Sequence, residues 1–250
     1  MAREGWDLMS YRPNQLIRRL RVIAAKSGAG SLSGYADLLR NHPERIQDLR
    51  AWLGIKVTQF FRNPEKFEFL EKEVLPLLSH RNLRVWSAGC ANGAEAYSLA
   101  MLLEDLMPGR YSIQATDMDE RVLRVAIAGW YAARETALVP DSRRRYLLPS
   151  GRGFMVHPVL RGAVFFRAHN LLCDPYPLGI DLVSCRNVLI YLSEEAKNRV
   201  IRAINSSLKP GGFLFLGSTE SIVNAAAAGF VPCGPFFYRK PVEDAQLKPL

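Results

Sequence analysis

The sequence predicts an α/β protein: a doubly wound, mostly parallel sheet, led by a small helical unit and interrupted by a small antiparallel β-subdomain. Three observations predict it. Apolar strand-like segments alternate with helical ones from about residue 63 onward. The first such strand runs through Gly89 and Gly93 straight into an amphipathic helix. The first fifty or so residues show helical periodicity alone.

Residues 12–26 are predicted as an amphipathic helix with Leu16, Ile17, Leu20, Ile23 and Ala24 on its buried stripe. Arg18 and Arg21 fall opposite that stripe, and Arg19 lies on its flank. Gly28-Ala-Gly30-Ser31 breaks the helix, and 32–39 and 43–53 read as two shorter ones. A basic helical domain is therefore expected over 1–54, with a hinge to about residue 62. The α/β domain is expected over 63–242. In order it holds a helix at 64–78, a strand at 83–87, a helix at 95–106, a strand at 111–117 and a helix at 120–127. Strands at 180–185 and 212–217 follow, separated by a helix at 194–208. Between them, Gly151, Gly153, Pro158 and Gly162 punctuate β-prone pieces, which places the β-subdomain at about 146–168. The polar end at 243–250 is expected to be a frayed tail.

The chain's 250 residues, 48% hydrophobic and 23% charged, can bury a substantial core. No apolar run approaches the ~20 residues that span a bilayer, so no membrane insertion is expected. Cys90, Cys173, Cys185 and Cys233 form no C-x-x-C pair and have no matching His spacing. Neither a metal nor a disulfide framework is therefore expected, and reduced thiols fit a cytoplasmic protein. The net charge of +9 calls for an acidic partner. Its lysines and arginines are neither clustered in long runs nor interleaved with aromatics, so nucleic acid is not the expected one.

The chemistry gathers where strands end. A glycine turn between strand and helix lets a ligand approach backbone and unpaired helix N–H groups. The spacing here is Gly89-x-x-x-Gly93 rather than G-x-G-x-x-G, and Glu95 stands in the first helical turn. That carboxylate repels a pyrophosphate and attracts an ammonium group, the tail of S-adenosylmethionine. Equally, it complements the helix dipole, worth about 0.3–1 kcal/mol. Asp117, at the end of the second strand, stands where a ribose is held in open α/β sheets. Thr58 and Arg62, in Val57-Thr-Gln-Phe-Phe-Arg62, would share one face of a helical turn at the hinge, with Phe60 and Phe61 as anchors. Asn170 follows a β-prone segment, where its amide can read an adenine edge or simply shape a loop. The strand at 180–185 opens into Arg186, Asn187 and then Tyr191.

Taken together these motifs resemble the S-adenosylmethionine-dependent chemoreceptor methyltransferases, the CheR family. The resemblance rests on V-T-x-F-F-R at 57–62, W-S-A-G-C at 86–90, Tyr97-Ser98 and Ala115-Thr-Asp-Met-Asp119. Asn170-Leu171, Cys185-Arg-Asn-Val-Leu-Ile-Tyr191 and Lys209-Pro-Gly-Gly-Phe-Leu complete it, so nearly the whole chain is covered. It implies a Rossmann-like methyltransferase domain that binds S-adenosylmethionine and releases S-adenosylhomocysteine. Thr58, Arg62, Glu95, Asp117, Asn170, Leu171, Arg186 and Asn187 would contact the cofactor, with Arg62 and Tyr191 beside the reacting methyl group. The implied substrate is a glutamate on the acidic helical cytoplasmic domain of a chemoreceptor or related signalling protein, met by Arg18, Arg19 and Arg21. A monomer is expected. Lys56 and the Gly93-Ala-Glu-Ala-Tyr-Ser98 turn depart from the family's usual wording. Methylation of another protein, and cofactor sensing without catalysis, stay open as alternatives.

Overall fold

The structure, a computed structural model, describes residues 8–46, 48–49, 58–78 and 82–242. Lys56, residues 47 and 50–53 of the helix expected at 43–53, and the tail expected at 243–250 lie outside the described residues.

The amino-terminal unit begins with α1 (Pro13–Lys26), which has proline in its first turn, where the missing N–H costs nothing. Ile23 and Ala24 are buried, and Leu16 and Leu20 pack partly against them, but Ile17 is 40% exposed. The expected stripe is thus narrower than the sequence suggests, and among the described residues it packs with α2 (Leu32–Asn41), Ile46, Leu49 and Met118. Ser31 caps α2 by accepting from Gly34 N–H at 3.0 Å.

The helical run expected at 64–78 forms, although only its start is α-helical. α3 (Pro64–Phe69) continues as a π turn at Leu70–Val74 and a 3-10 turn at Leu75–Leu77, where Pro76 has no N–H to donate. Then come β1 (Leu83–Ala88), α4 (Ala94–Leu106), β2 (Tyr111–Asp117), α5 (Glu120–Ala128) and β3 (Trp130–Ala132). They are followed by β4 (Leu147–Ser150), β5 (Gly153–Val156), α6 (Pro158–Ala163), β6 (Val164–Ala168) and β7 (Ile180–Cys185). α7 (Glu194–Ser207), β8 (Leu208–Leu216), β9 (Val231–Gly234) and β10 (Phe237–Arg239) complete the order.

Seven strands form one sheet in the order β6-β2-β1-β7-β8-β10-β9. The first five run parallel, with Val85 opposite both Ile113 and Leu182, and β10 is antiparallel to both of its neighbours. The order reverses direction at β1, so the crevice at the carboxyl ends of β1 and β7 is the topological switch point. The remaining strands form a separate antiparallel sheet, β3-β5-β4. The β-subdomain expected at 146–168 is therefore redrawn. It takes in β3, upstream of that range, and gives up β6 to the edge of the main sheet.

On one face of the main sheet Val85, Ile113 and Phe215 pack with Tyr97, Met101, Phe61 and Phe67. On the other, Trp86, Val183 and Leu214 pack under Ala196, Val200, Ile201 and Ile204 of α7. α4 is not the amphipathic helix expected. Every residue from Ala96 to Leu103 is buried, because the hinge aromatics and the small sheet cover the side away from the main sheet. Phe60 meets Tyr131 edge-on at 4.9 Å in that second layer.

Candidate active site

The carboxyl ends of β1, β2, β6 and β7 open into one cavity holding about 1030 Å³ of atom-free space, its open mouth included. The hinge contributes Thr58 and Arg62 to its lining, α4 contributes Glu95, and β2 contributes Asp117. Asn170 and Leu171 line it after β6, and Arg186, Asn187 and Tyr191 after β7. Of the docking residues, Arg18 and Arg21 are exposed on α1, whereas the Arg19 guanidinium lies over the Tyr191 ring, 4.6 Å from its centroid.

The hinge reaches the cavity through a bend, not the helical turn expected for Thr58 and Arg62. Phe61 and Asn63 have φ of +48° and +64°, and for a bulky aromatic that backbone is strained. Phe61 N–H donates to Ser98 Oγ at 2.9 Å, and its ring packs on Phe67 at 5.1 Å. Ala91 and Asn187, which line the cavity, also take positive φ, and Phe61 and Asn63 flank the lining residue Arg62. Strain of this kind, of order 1–3 kcal/mol each, persists where surrounding structure over-determines it.

The two glycines of the turn also make room for neighbouring protein. A Cβ on Gly89 would stand 2.4 Å from Val188 Cγ2, and one on Gly93 would stand 2.8 Å from Ala126 Cβ. With φ of +78° and +87° they let the turn take its shape and let protein press against it, while Gly89 also lines the cavity as expected.

Two carboxylates define the charge of the cavity. Glu95 Oε1 accepts from Ser184 Oγ at 2.7 Å and from Ser87 Oγ at 3.0 Å, while Oε2 lies 3.3 Å from Arg186 Nη1. A carboxylate has about four acceptor positions, so this arrangement leaves room for one more donor. Asp117 accepts from Ala91 N–H at 2.9 Å and Asp119 N–H at 3.0 Å. Burial pushes its carboxyl above the usual aspartate range, and those two N–H groups oppose the shift. Such a pair of acceptors fits a ligand that donates from an ammonium group and vicinal hydroxyls, the chemistry of S-adenosylmethionine. Among the described residues no three His, Cys, Asp or Glu side chains cluster as a metal ion would require.

Arg186 is held more tightly than its sequence position suggests. Its side chain is 2% exposed and stacks on Phe215 at 4.6 Å, and Nη2 donates to Arg62 O at 2.7 Å and Asn63 Oδ1 at 3.1 Å. It thus ties the hinge to Glu95. Burial lowers its pKa, and Glu95 opposes that. Asn170 Oδ1 accepts from Leu172 N–H at 3.0 Å, an Asx turn that shapes its own loop. Burial pushes the Tyr191 phenol up, while the Arg19 cation pulls it back.

Several residues of the site escape the sequence reading. Glu220, 3% exposed, accepts four main-chain N–H groups: Asn187 and Leu189 at 2.7 Å, Gly217 at 2.8 Å and Val188 at 2.9 Å. It holds the loop that carries Arg186 and Tyr191. The available signal was an acid three residues past Gly217, at the same sheet edge as Asp117. His169 lines the cavity, with its ring edge-on to Trp86 at 5.6 Å and Tyr176 at 5.7 Å. Tyr11 and Met118 line it too, and no local pattern marks either.

Residues 56–233 match the family model described as CheR methyltransferase, SAM binding domain. A chemotaxis protein methyltransferase of Listeria innocua is 37% identical over 241 residues, covering 94% of this chain and 92% of the relative. Chemotaxis protein methyltransferase 1 of Pseudomonas aeruginosa is 41% identical over 243 residues, covering 88% and 86%. Among solved structures, a possible exported protein from Bordetella parapertussis aligns over 74% of this chain and 71% of its own, with TM-score 0.45 and 15% identity.

Proposed function

This chain belongs to the CheR family of S-adenosylmethionine-binding methyltransferases of chemotaxis, and from that premise we propose that it methylates glutamate side chains on the acidic helical cytoplasmic domain of a chemoreceptor. One observation carries the reading: Glu95, Asp117, Arg62 and Tyr191 border a single cavity at the switch point of the sheet.

Bound S-adenosylmethionine brings a methyl group already activated on a sulfonium. Glu95 would hold the ammonium of its amino-acid part and Asp117 the ribose hydroxyls, while Asn170 and Leu171 would border the base and Thr58 and Asn187 would line the remainder. Arg186 acts mainly through Glu95 and the hinge, since its two Nη atoms already have partners. Arg62 and Tyr191 orient the incoming carboxylate. An acceptor glutamate, with an ordinary pKa of about 4.3, is ionised at neutral pH, so no general base is needed. Its oxygen bonds to the methyl carbon as the sulfur–methyl bond breaks, and the bond pair returns to sulfur to leave S-adenosylhomocysteine. Catalysis then rests on in-line positioning and on a field that does not over-stabilise the carboxylate. The domain over 63–242 carries this chemistry, and the unit over 1–54 docks the receptor through the exposed Arg18 and Arg21 of α1.

The test is transfer of radiolabelled methyl from S-adenosylmethionine to a purified receptor cytoplasmic domain, followed by mild base. Label released as methanol is expected. Base-stable label would indicate another acceptor group, and tight cofactor binding without transfer would indicate a sensor.

A further inference from the structure

The amino-terminal unit grips the loop of Tyr191 at two independent places. Residues 8–12 run as a strap against it: Tyr11 bridges Leu192 in antiparallel fashion, and Arg12 N–H donates to Tyr191 O at 2.9 Å. Ser193 N–H donates to Ser10 O at 2.8 Å, Arg12 Nε donates to Leu192 O at 3.2 Å, and Ser10 is buried. The main chain from Tyr191 to Ser193 is therefore paired with the strap. The second grip comes from α1, whose Arg19 guanidinium lies 4.6 Å from the centroid of the Tyr191 ring. Arg19 is half-buried there, unlike its neighbours Arg18 and Arg21, which face solvent.

We propose that Arg19 is a positioning residue for methyl transfer, holding the Tyr191 ring from the amino-terminal unit while the strap holds its main chain. The proposal rests on the reading that Tyr191 borders the transfer centre. Two features make the grip effective. A guanidinium is planar and always charged, so it can lie over the electron-rich face of a phenol and fix the ring's orientation. The strap removes main-chain freedom that a single 3-10 turn, Leu189–Tyr191, would otherwise retain. Because Arg18 and Arg19 are adjacent on one helix, a receptor seated on the exposed face of α1 bears on the same element that orients Tyr191.

The experiment compares Arg19→Ala and Arg19→Lys with the parent full chain. Positioning predicts that Arg19→Ala lowers kcat about tenfold, the scale of a half-buried cation–π contact, with receptor KM within about twofold and cofactor affinity unchanged. Arg19→Lys, which restores a cation over the ring, should recover part of the rate. A second readout needs no turnover. In protein labelled with 3-fluorotyrosine, the Tyr191 fluorine resonance, identified by its absence in Tyr191→Phe, should move in Arg19→Ala and stay in place in Arg18→Ala. An unmoved resonance, or a raised KM with unchanged kcat, would overturn the proposal and leave Arg19 a docking residue. Should the parent transfer no methyl to a receptor, the function reading fails, and the resonance alone decides whether the grip exists.

Discussion

Single residues in this protein often serve the site by serving the backbone. Glu220 is the clearest case, since its carboxylate gathers four N–H groups from two loops and fixes Asn187 at a φ of +61°. Glu220→Gln keeps the size but offers one acceptor oxygen in place of two, and turns an NH₂ toward main-chain donors. The variant is expected to lose about 1–3 kcal/mol of stability, the cost of leaving buried donors unpaired. Cofactor affinity should fall with it, because the loop bearing Arg186 and Tyr191 loosens. Chemical denaturation and calorimetry check both, and a variant as stable as the parent would remove the carboxylate from this role. Asp117 and Glu95 were legible as candidates because an acid at a strand end, or in the first turn of a helix, has a local pattern. Glu220 had only its distance from Gly217, and the four donors it serves come together through the parallel pairing of β7 with β8.

Among the elements, α1 divides its arginines between two tasks. Arg18 and Arg21 point to solvent, and Arg19 points to Tyr191. Docking on an acidic helical face by the first two is electrostatic, so it weakens as salt shortens the screening length to about 8 Å at physiological strength. Reversing both to Glu is expected to lower kcat/KM for the receptor about tenfold or more at low salt, with cofactor affinity unchanged. Steady-state assays across a salt series check this. A variant as fast as the parent at every ionic strength would remove α1 as the docking face. The period of the helix separated Arg18 and Arg21 from the apolar stripe, but Arg19, on the flank, needed a neighbour to decide its side. α4 makes the same point for burial. Its sequence suggested one buried face, and Phe60, Phe61 and the β3-β5-β4 sheet cover the other.

At the scale of the whole molecule, His169 joins the sheet core to the cavity. Its ring is buried between Trp86 and Tyr176, and that burial lowers its pKa below the ordinary 6.5. The unfolded chain then binds a proton that the folded chain refuses, so stability falls as pH drops below about 6.5 and levels off beneath the folded pKa. His169→Gln, which cannot charge, should show a flatter stability profile over that window. Thermal denaturation at a series of pH values above the carboxylate range checks it, and parallel profiles for parent and variant would mean His169 titrates alike in both states.

By itself the sequence determined the α/β alternation, the strand ends that carry Asp117 and Arg186, and the places of Glu95 in a first helical turn and Asn170 after a β-prone segment. These are local matters, set by periodicity, turn residues and the rule that an open parallel sheet presents its chemistry at its carboxyl ends. Tertiary structure alone decided which groups those residues face. Gly89 and Gly93 make room for Val188 and Ala126, and β6 joins the main sheet rather than the small one. Arg186 lies against Glu95 and the hinge, and Glu220 and Arg19 converge on the Tyr191 loop from opposite ends of the chain. Contacts between residues tens to hundreds of positions apart depend on strand order and packing, for which neither residue carries a local pattern.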